Sequence, residues 1–579
     1  MKNIFYSLLF SFAIGAFAQN TKIIKGDKLN QKLAYIDAIK TYENIVKKGF
    51  VNHEICEKIG DAYYFNANYK IAAEWYQKAF SLSADLNPEY FYRYALTMKS
   101  IGQIEESDKY MVKYISLVPE QNRAQILKKE NNYKEYIKQN SDRFELKTLS
   151  INSPNSDFGG SFYKDQLVFS TSRESKSIYK RTHSWTGLPF TSLYSGVITS
   201  DGLVSDAKKF AKAIDSKFNE STPVFTKDGN TVYFTSARNA SKKVYGWTKE
   251  PFLDIYKADY NEDGTITNSA PVKELNTKYH DGSVTISKDG NTMYFTSDSF
   301  REDSFEKDKA NKLKLGRNNI FKATKENGKW GAITSLPFNS SDYSTGNPSL
   351  SKDAKTLYFS SNMPGSIGGV DIWKVAVAEN GSFGTPENLG KTINTEGNES
   401  FPFIADENVL YFSSDAKQGL GGMDVYKIDL KAGTEAKNVG KPVNSDKDDF
   451  SFSFNENKNF GFVASNRNGN DDIFGLVPVC VYEVNTIVTN SKTGAILADA
   501  KVSILDDKNN VITTEQSNAK GEVSYKVECE KNYTIQAAKD GFESNSFAVT
   551  KSNNKGGSTK VDAASVSYTH LTLPTNREV

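Results

Sequence analysis

The stretch SKDGNTMYFTS, residues 287–297, places a polar turn directly before an alternating, aromatic strand. Its apolar and polar residues alternate with the period of two that a half-buried strand requires. The Asp289-Gly290 pair predicts a tight turn, because glycine accepts a positive φ and aspartate hydrogen-bonds the local backbone. Calcium ligation is the competing interpretation, but it requires several convergent oxygens in one loop. Strands separate the aspartates of this stretch and its copies, so the sequence favours the turn.

The apolar and aromatic core of this stretch, Met293-Tyr294-Phe295, recurs along the chain. Its third residue falls at Phe169, Phe234, Phe295, Phe359, Phe412 and Val463, in steps of 65, 61, 64, 53 and 51 residues. A second strand follows the core, as in DIWKV from Asp371. Each unit is long enough for four short strands, the content of a propeller blade. We therefore predict an all-β propeller over residues 145–479, similar to TolB, with six blades; five or seven blades remain alternatives.

A further element precedes every core, beginning with LKTLSIN from Leu146, whereas the array finishes at DDIFGLV without such an element. We predict that the strand near Leu146 completes the last blade and closes the ring, which leaves no open edge between its ends. We assign four recurrent phenylalanines to packing within the blades: Phe234, Phe295, Phe359 and Phe412.

Residues 19–118 have the apolar spacing of helices, and equivalent positions return at Tyr35, Tyr69 and Ile104, which are 34 and 35 residues apart. This period, together with KIGDAYYFNANYKIAAEWYQKAF from Lys58, resembles the tetratricopeptide repeat. The resemblance implies an all-α solenoid whose concave face holds a peptide or a partner protein. Four residues are assigned to packing between its helices: Gly60, Tyr63, Ala72 and Tyr76. Residues 119–144 are polar and charged, and we expect a linker there.

The N-terminus predicts export. Lys2 precedes an apolar run that ends in Ala16-Phe17-Ala18, so residues 1–18 have the form of a secretory signal cut between Ala18 and Gln19. A membrane anchor is the alternative, but the apolar run is short for a span. A net charge of +2 gives no general attraction to nucleic acid or anionic lipid.

Cysteine usage is sparse, with three cysteines in the chain. In an oxidising compartment Cys480 and Cys529 are candidates for a disulfide, and two buried free thiols are the alternative. The third, Cys56, lies among the helices.

The sequence from residue 480 to 551 alternates apolar and polar residues between Asp, Asn and Gly turns, which predicts a β-sandwich of about seven strands. TGAILADAKVSIL and YTIQAAKDGF resemble the carboxypeptidase regulatory-like domain, a non-catalytic module. Residues 552–564 read as a linker. Residues 565–579 have no continuity with what precedes them and are interpreted as translated adapter or vector sequence.

This order of modules resembles the multidomain OmpA-family periplasmic proteins of Bacteroidota, PorE-like and associated with type IX secretion and gliding. The resemblance implies a non-enzymatic scaffold at the outer membrane that binds PorP- or SprF-like proteins. It also implies a C-terminal OmpA-like domain that grips peptidoglycan; that domain is missing from the sequence, so no wall-binding residue is assigned. No cofactor, metal or membrane span is expected.

Two other functions compete with the scaffold. A glycan- or peptide-binding protein would use the propeller face, where SNMPGSIGGVDIW and SSDAKQGLGGMDVYKI carry Gly-rich loops that allow close approach. A propeller-associated hydrolase is the third reading, but the chain has no Gly-x-Ser-x-Gly motif. Its four histidines are scattered, and HEICE from His53 lacks the second histidine of a zinc protease motif. No catalytic residue is assigned.

Overall fold

The computed structural model describes residues 21–30, 34–129, 133–173, 182–183, 185–210, 220–237, 252–260, 266–277, 279–298, 317–405, 408–433, 435–552 and 558–565. They form two compact units. The first comprises residues 1–141 and 146–477, and the second residues 142–145 and 478–579. The predicted cleavage site, Ala18 and Gln19, and residues 566–579 lie outside the described residues.

The first unit begins with helices, and consecutive helices pack against each other from α2 to α7. Their bounds are α1 (21–30), α2 (Tyr35–Lys47), α3 (His53–Tyr64), α4 (Tyr69–Leu82), α5 (Pro88–Ser100), α6 (Ile104–Leu117), α7 (Asn122–Lys129) and α8 (Tyr133–Asn140). The helices α2, α4 and α6 begin at the three equivalent residues of the sequence repeat. Their spacing therefore marks a real structural period.

The predicted linker at 119–144 differs from the structure, which has α7 and α8 there. Each of these helices is short and buries few apolar side chains, notably Ala124, Leu127 and Ile137. With so few apolar positions among charged residues, the helical period is too weak to read from the sequence.

Gly60 allows α3 and α4 to approach closely. A Cβ atom at this position would lie 2.6 Å from the ring of Tyr76. Tyr76 is 1% exposed, and its hydroxyl donates a hydrogen bond of 2.7 Å to Asp61. Ala72 is fully buried in the same layer, while Tyr63 is half-buried and bonds Glu43. These four assigned residues therefore lie at helix contacts.

Six sheets follow, called blades 1 to 6 here; five have four strands, and blade 3 has five. Blade 1 has β2 (Asp157–Tyr163), β3 (Gln166–Thr171), β4 (Ser192–Ile198) and β5 (Val204–Lys209); blade 2 has β6 (Glu220–Phe225), β7 (Thr231–Ala237), β8 (Leu253–Tyr260) and β9 (Ile266–Pro271). Blade 3 has β10 (Asp281–Ile286), β11 (Thr292–Ser297) and β12 (Asn319–Glu326), which pairs with both β13 (Lys329–Trp330) and β14 (Thr334–Ser335).

Blade 4 has β15 (Thr345–Leu350), β16 (Thr356–Ser361), β17 (Asp371–Ala376) and β18 (Glu387–Asn388). Blade 5 has β19 (Glu399–Ile404), β20 (Val409–Ser414), β21 (Asp424–Asp429) and β22 (Lys437–Asn438). Blade 6 has β23 (Asp449–Asn455), β24 (Phe460–Ser465) and β25 (Asp472–Pro478), completed by β1 (Phe144–Thr148).

The blades form a closed ring. The first strand of each blade contacts the first strand of the next, and β23 contacts β2. The pairing of β1 with β25 confirms the predicted closing strand. This is the arrangement of a β-propeller, with the first strands innermost.

The blade interiors are apolar. The four assigned phenylalanines are at most 1% exposed: Phe234, Phe295, Phe359 and Phe412. Before β11 the predicted turn is present, because Asp289 accepts hydrogen bonds from the Ser287 hydroxyl and from the backbone N–H of Asn291, and Gly290 has a φ of +72°. The opening stretch is thus a turn and strand of blade 3.

The second unit contains two sheets around one apolar core. The strands are β26 (Val481–Asn490), β27 (Lys501–Leu505), β28 (Val511–Gln516), β29 (Glu522–Glu528), β30 (Tyr533–Ala538), β31 (Asn545–Val549) and β32 (Ser558–Ser565), in the orders β28-β27-β30-β31 and β29-β26-β32. Cys480 and Cys529, singled out from the sequence, are joined in a disulfide. The predicted linker at 552–564 is wrong in part, since β32 pairs in parallel with β26 and buries Val561 and Ala563.

Candidate functional site: the carboxylate end of the ring

At one end of the blades, asparagine side chains from the loops repeatedly hydrogen-bond the backbone of the third strands. In blade 4 the side-chain amide of Asn394 accepts from the Ile372 N–H at 2.8 Å and donates to the Ile372 carbonyl at 2.9 Å. The amide thus pairs with the third strand as a backbone residue would. Equivalent asparagines make the same pair of bonds at other blades: Asn152, Asn276, Asn339 and Asn444.

A buried acid follows this asparagine at the start of most innermost strands. Glu399 accepts from the Thr395 N–H at 2.9 Å, from the Thr395 hydroxyl at 2.6 Å and from the Ser414 hydroxyl at 2.7 Å. The acid therefore joins the incoming loop to the second strand of its own blade. Five of the six innermost strands begin this way, with Asp157, Glu220, Asp281, Glu399 and Asp449, and each acid is at most 1% exposed.

Arginines accompany two of these acids. Arg173 lies 3.0 Å from Asp157 in blade 1, and Arg467 lies 2.5 Å from Asp449 in blade 6. Burial raises the pKa of Asp281 and of Glu399 to about 7 each. Hydroxyl and backbone donors already occupy these carboxylates. A role in holding loops accounts for their burial and their raised pKa.

The helices pack against loops at this end of the ring. The hydroxyl of Tyr69 donates to the carboxylate of Asp448, and the hydroxyl of Tyr92 donates to the Asp415 carbonyl at 2.8 Å. The ammonium of Lys99 donates to the Gly419 carbonyl at 3.1 Å. Further contacts join Arg123 to the Glu396 carbonyl, Lys447 to the Ser100 carbonyl and the Lys441 N–H to the Ser141 hydroxyl.

The groups at this junction are removed from water. Asp448 is half-buried as a residue, but its carboxylate is enclosed by Tyr69, Asn466 and the Met423 N–H. Burial raises its pKa to about 6, and the nearby acids Asp449 and Asp471 act in the same direction. Burial likewise lowers the pKa of Lys99, which is 4% exposed. The junction therefore excludes solvent, and it fixes the helices through polar contacts as well as packing.

The sequence analysis predicted neither the asparagine hydrogen bonds nor the junction between the helices and the ring. The asparagines stand in segments that were read only as further strands, such as ENLGKTINTEGNES. Their recurrence as Asn-Ser or Asn-Thr, followed by an acid four residues after the hydroxyl residue, is a readable signal in blades 1, 3, 5 and 6. The junction has no local signal, because its partners are more than 270 residues apart in the chain.

Among the described residues, no group of three or more His, Cys, Asp or Glu side chains is placed to hold a metal ion. No helix within the described ranges has the length and apolarity needed to cross a membrane.

Comparisons with known proteins give structural similarity only. No family model and no curated protein matches the chain. The structure of putative TolB from Agrobacterium tumefaciens is 13% identical, covering 56% of this chain and 92% of that one, with a TM-score of 0.33. A Penicillium chrysogenum alpha-L-arabinanase complexed with arabinobiose is 8% identical over 58% of this chain and 97% of that one, with a TM-score of 0.36. Puromycin hydrolase is 10% identical over 68% of this chain and 52% of its own, with a TM-score of 0.33. These scores transfer no activity, substrate or partner to this chain.

Proposed function

We propose that this chain is a non-enzymatic scaffold of the bacterial periplasm, associated with the outer membrane. In this proposal the helices form a tetratricopeptide solenoid that binds PorP- or SprF-like outer-membrane proteins. The second unit is a carboxypeptidase regulatory-like module. Peptidoglycan is engaged through the C-terminal OmpA-like domain that the resemblance to OmpA-family proteins implies. The complex served is of the type IX secretion or gliding kind.

The observation that carries the proposal is the fixed junction between helices and ring. Buried tyrosine and lysine side chains bond the loops of the ring, so the two parts belong to one compact unit. A scaffold needs such rigidity, because a partner bound to one part must be held in a defined position relative to the other. The 34- and 35-residue spacing of helix starts supports the tetratricopeptide assignment.

Two further features support the binding role and the compartment. Large apolar side chains remain exposed on the helices, including Leu82 on α4 at 46% and Val112 on α6 at 66%. Such side chains are available to a partner that covers them. The disulfide between Cys480 and Cys529 suits an oxidising compartment such as the periplasm.

The test is site-specific photo-crosslinking in envelope preparations of the native, full-length protein. A photo-reactive residue replaces Val112 on α6, and a matched control replaces Ile512 on β28, which is 55% exposed. We expect an integral outer-membrane protein to crosslink at 112 and not at 512. Crosslinking at neither position, or the same product at both, would contradict docking on the helices.

A further inference from the structure

The innermost strands of the ring share an irregularity that no function above uses. The pairing of each with its second strand shifts register at the second to fifth residues of the strand, which marks a β-bulge. The third residue has a positive φ in five blades: Gly159, Ser283, Asn347, Phe401 and Ser451. Bulges redirect side chains and are over-represented beside binding sites.

Phe401 stands out within this set. Glycine and asparagine adopt a positive φ readily, whereas a bulky residue at a φ of +53° is a strained outlier. Its side chain is nevertheless 45% exposed, so burial of the ring does not offset the strain. Strain combined with exposure at one aromatic residue calls for a functional explanation.

The position of β19 determines where this ring projects. Strand β19 is paired with β20 on one edge and contacts β15 and β23 of the neighbouring blades. As an innermost strand, β19 borders the centre of the ring. There the Phe401 ring lies 5.4 Å from that of Phe450 on β23, so two aromatic rings form one wall.

Neutral polar residues occupy the matching bulge positions of other innermost strands. Asn347, at the matching bulge of blade 4, is exposed, and its side-chain amide makes no hydrogen bond to any described residue. The hydroxyls of Ser283 and Ser451 also have no hydrogen-bond partner within the described ranges. The side chains of β2, β6, β10, β15, β19 and β23 include no Lys or Arg, and their acids are confined to the buried first position.

We propose that the centre of the ring, near the carboxylate end, binds a neutral carbohydrate. One sugar ring stacks its apolar C–H face on Phe401 beside Phe450, and its hydroxyls hydrogen-bond the amide of Asn347 on the neighbouring β15 and the hydroxyl of Ser451 on β23. An aromatic platform combined with uncharged donors and acceptors matches a ligand that is apolar on one face and rich in hydroxyls at its edge. The absence of Lys and Arg from the six innermost strands disfavours an anionic ligand.

The test is binding of neutral hexasaccharides of N-acetylglucosamine, glucose, xylose, mannose and arabinose to the full chain, measured by calorimetry. We expect at least one to bind, with about tenfold or greater loss of affinity in Phe401→Asn. Asparagine tolerates the positive φ, so this substitution keeps the bulge while removing the aromatic face. Asn347→Ala should also weaken binding, and it remains informative if Phe401→Asn folds poorly.

Tyr136→Asn serves as the control, since Tyr136 is an aromatic residue on α8 that is 63% exposed. It should leave the affinity unchanged. Failure of every hexasaccharide to bind would overturn the proposal, as would equal affinities of the wild type and the folded variants. Binding of an uncharged proline-rich peptide in place of any sugar would also overturn it. Crosslinking at position 112 is independent of these results, so the scaffold proposal stands or falls separately.

Discussion

The contact between Tyr69 and Asp448 makes the helix–ring junction sensitive to pH. Burial raises the pKa of Asp448 from the ordinary 3.8 to about 6. The folded protein therefore holds a proton that the unfolded chain has already released between these two values. The free energy of unfolding falls as pH rises through this window and is constant above it. A shift of about 2 units corresponds to about 3 kcal/mol.

Tyr69→Phe removes one donor from this carboxylate, and the resulting loss of stability should depend on pH. Above about pH 6 the acceptor is ionised, and loss of a hydrogen bond to a charged group costs about 2 kcal/mol. Below about pH 5 the acid is protonated, and loss of a neutral hydrogen bond costs about 1 kcal/mol or less. The variant should therefore be more strongly destabilised at high pH.

Urea unfolding followed by tryptophan fluorescence measures this effect selectively. All five tryptophans precede residue 478, so the signal arises from the first unit alone. The control is Tyr92→Phe, which removes a buried hydroxyl at the same junction that donates to a backbone carbonyl, a group that does not titrate. Its cost should be about 1 kcal/mol at about pH 4.5 and at about pH 8. Equal destabilisation by Tyr69→Phe at both pH values would refute the reasoning.

Three further variants test the asparagine hydrogen bonds at the end of the ring, the packing between helices and the disulfide of the second unit. Asn394→Ala leaves the N–H and carbonyl of one strand residue unpaired in the interior, so urea titration should show a loss of about 3 kcal/mol, while an exposed asparagine changed to alanine should cost less than about 0.5 kcal/mol. Gly60→Ala drives a Cβ to within 2.6 Å of a buried tyrosine ring, and we expect a net loss of about 1–2 kcal/mol in the same assay, because overpacking exceeds the gain in helix propensity. Replacing Cys480 and Cys529 by serine opens a loop with a sequence separation of 49 residues. The free energy of unfolding of the second unit should fall by about 4 kcal/mol, measured by near-ultraviolet circular dichroism. The unfolding transition followed by tryptophan fluorescence should not change.

Elements with a strong, repeated period were predictable from the sequence. Five of the six strand cores have an aromatic third residue, and the four assigned phenylalanines are buried as blade packing requires. The closing strand near Leu146 could be inferred because the array begins with an element that its end lacks. Both inferences rest on comparison between copies, which reinforces a signal that is weak in any one strand.

Elements without a period were not predictable. Where its side chains are described, the strand β32 buries the β-branched Val561 and the small Ala563, and its composition resembles a polar linker. The bulge at Phe401 has no sequence mark, since a phenylalanine in a strand normally indicates regular pairing. Of the junction residues, Tyr69 is marked in the sequence only by the helical repeat and Tyr92 is not marked at all, because nothing in a helical period shows which loop from a distant part of the chain will meet a given face.

The connection between the helices and the ring explains why they belong to one unit. Ser141 follows α8 directly, and its hydroxyl accepts a hydrogen bond from the Lys441 N–H of blade 5. Three residues later the chain enters β1, the strand that closes blade 6. The helices thus lie immediately before the closing strand and are also bonded to the ring through Tyr69, Tyr92 and Lys99. Displacing them would break buried polar contacts and pull on the strand that joins the two ends of the ring, so helix docking and ring closure stabilise each other.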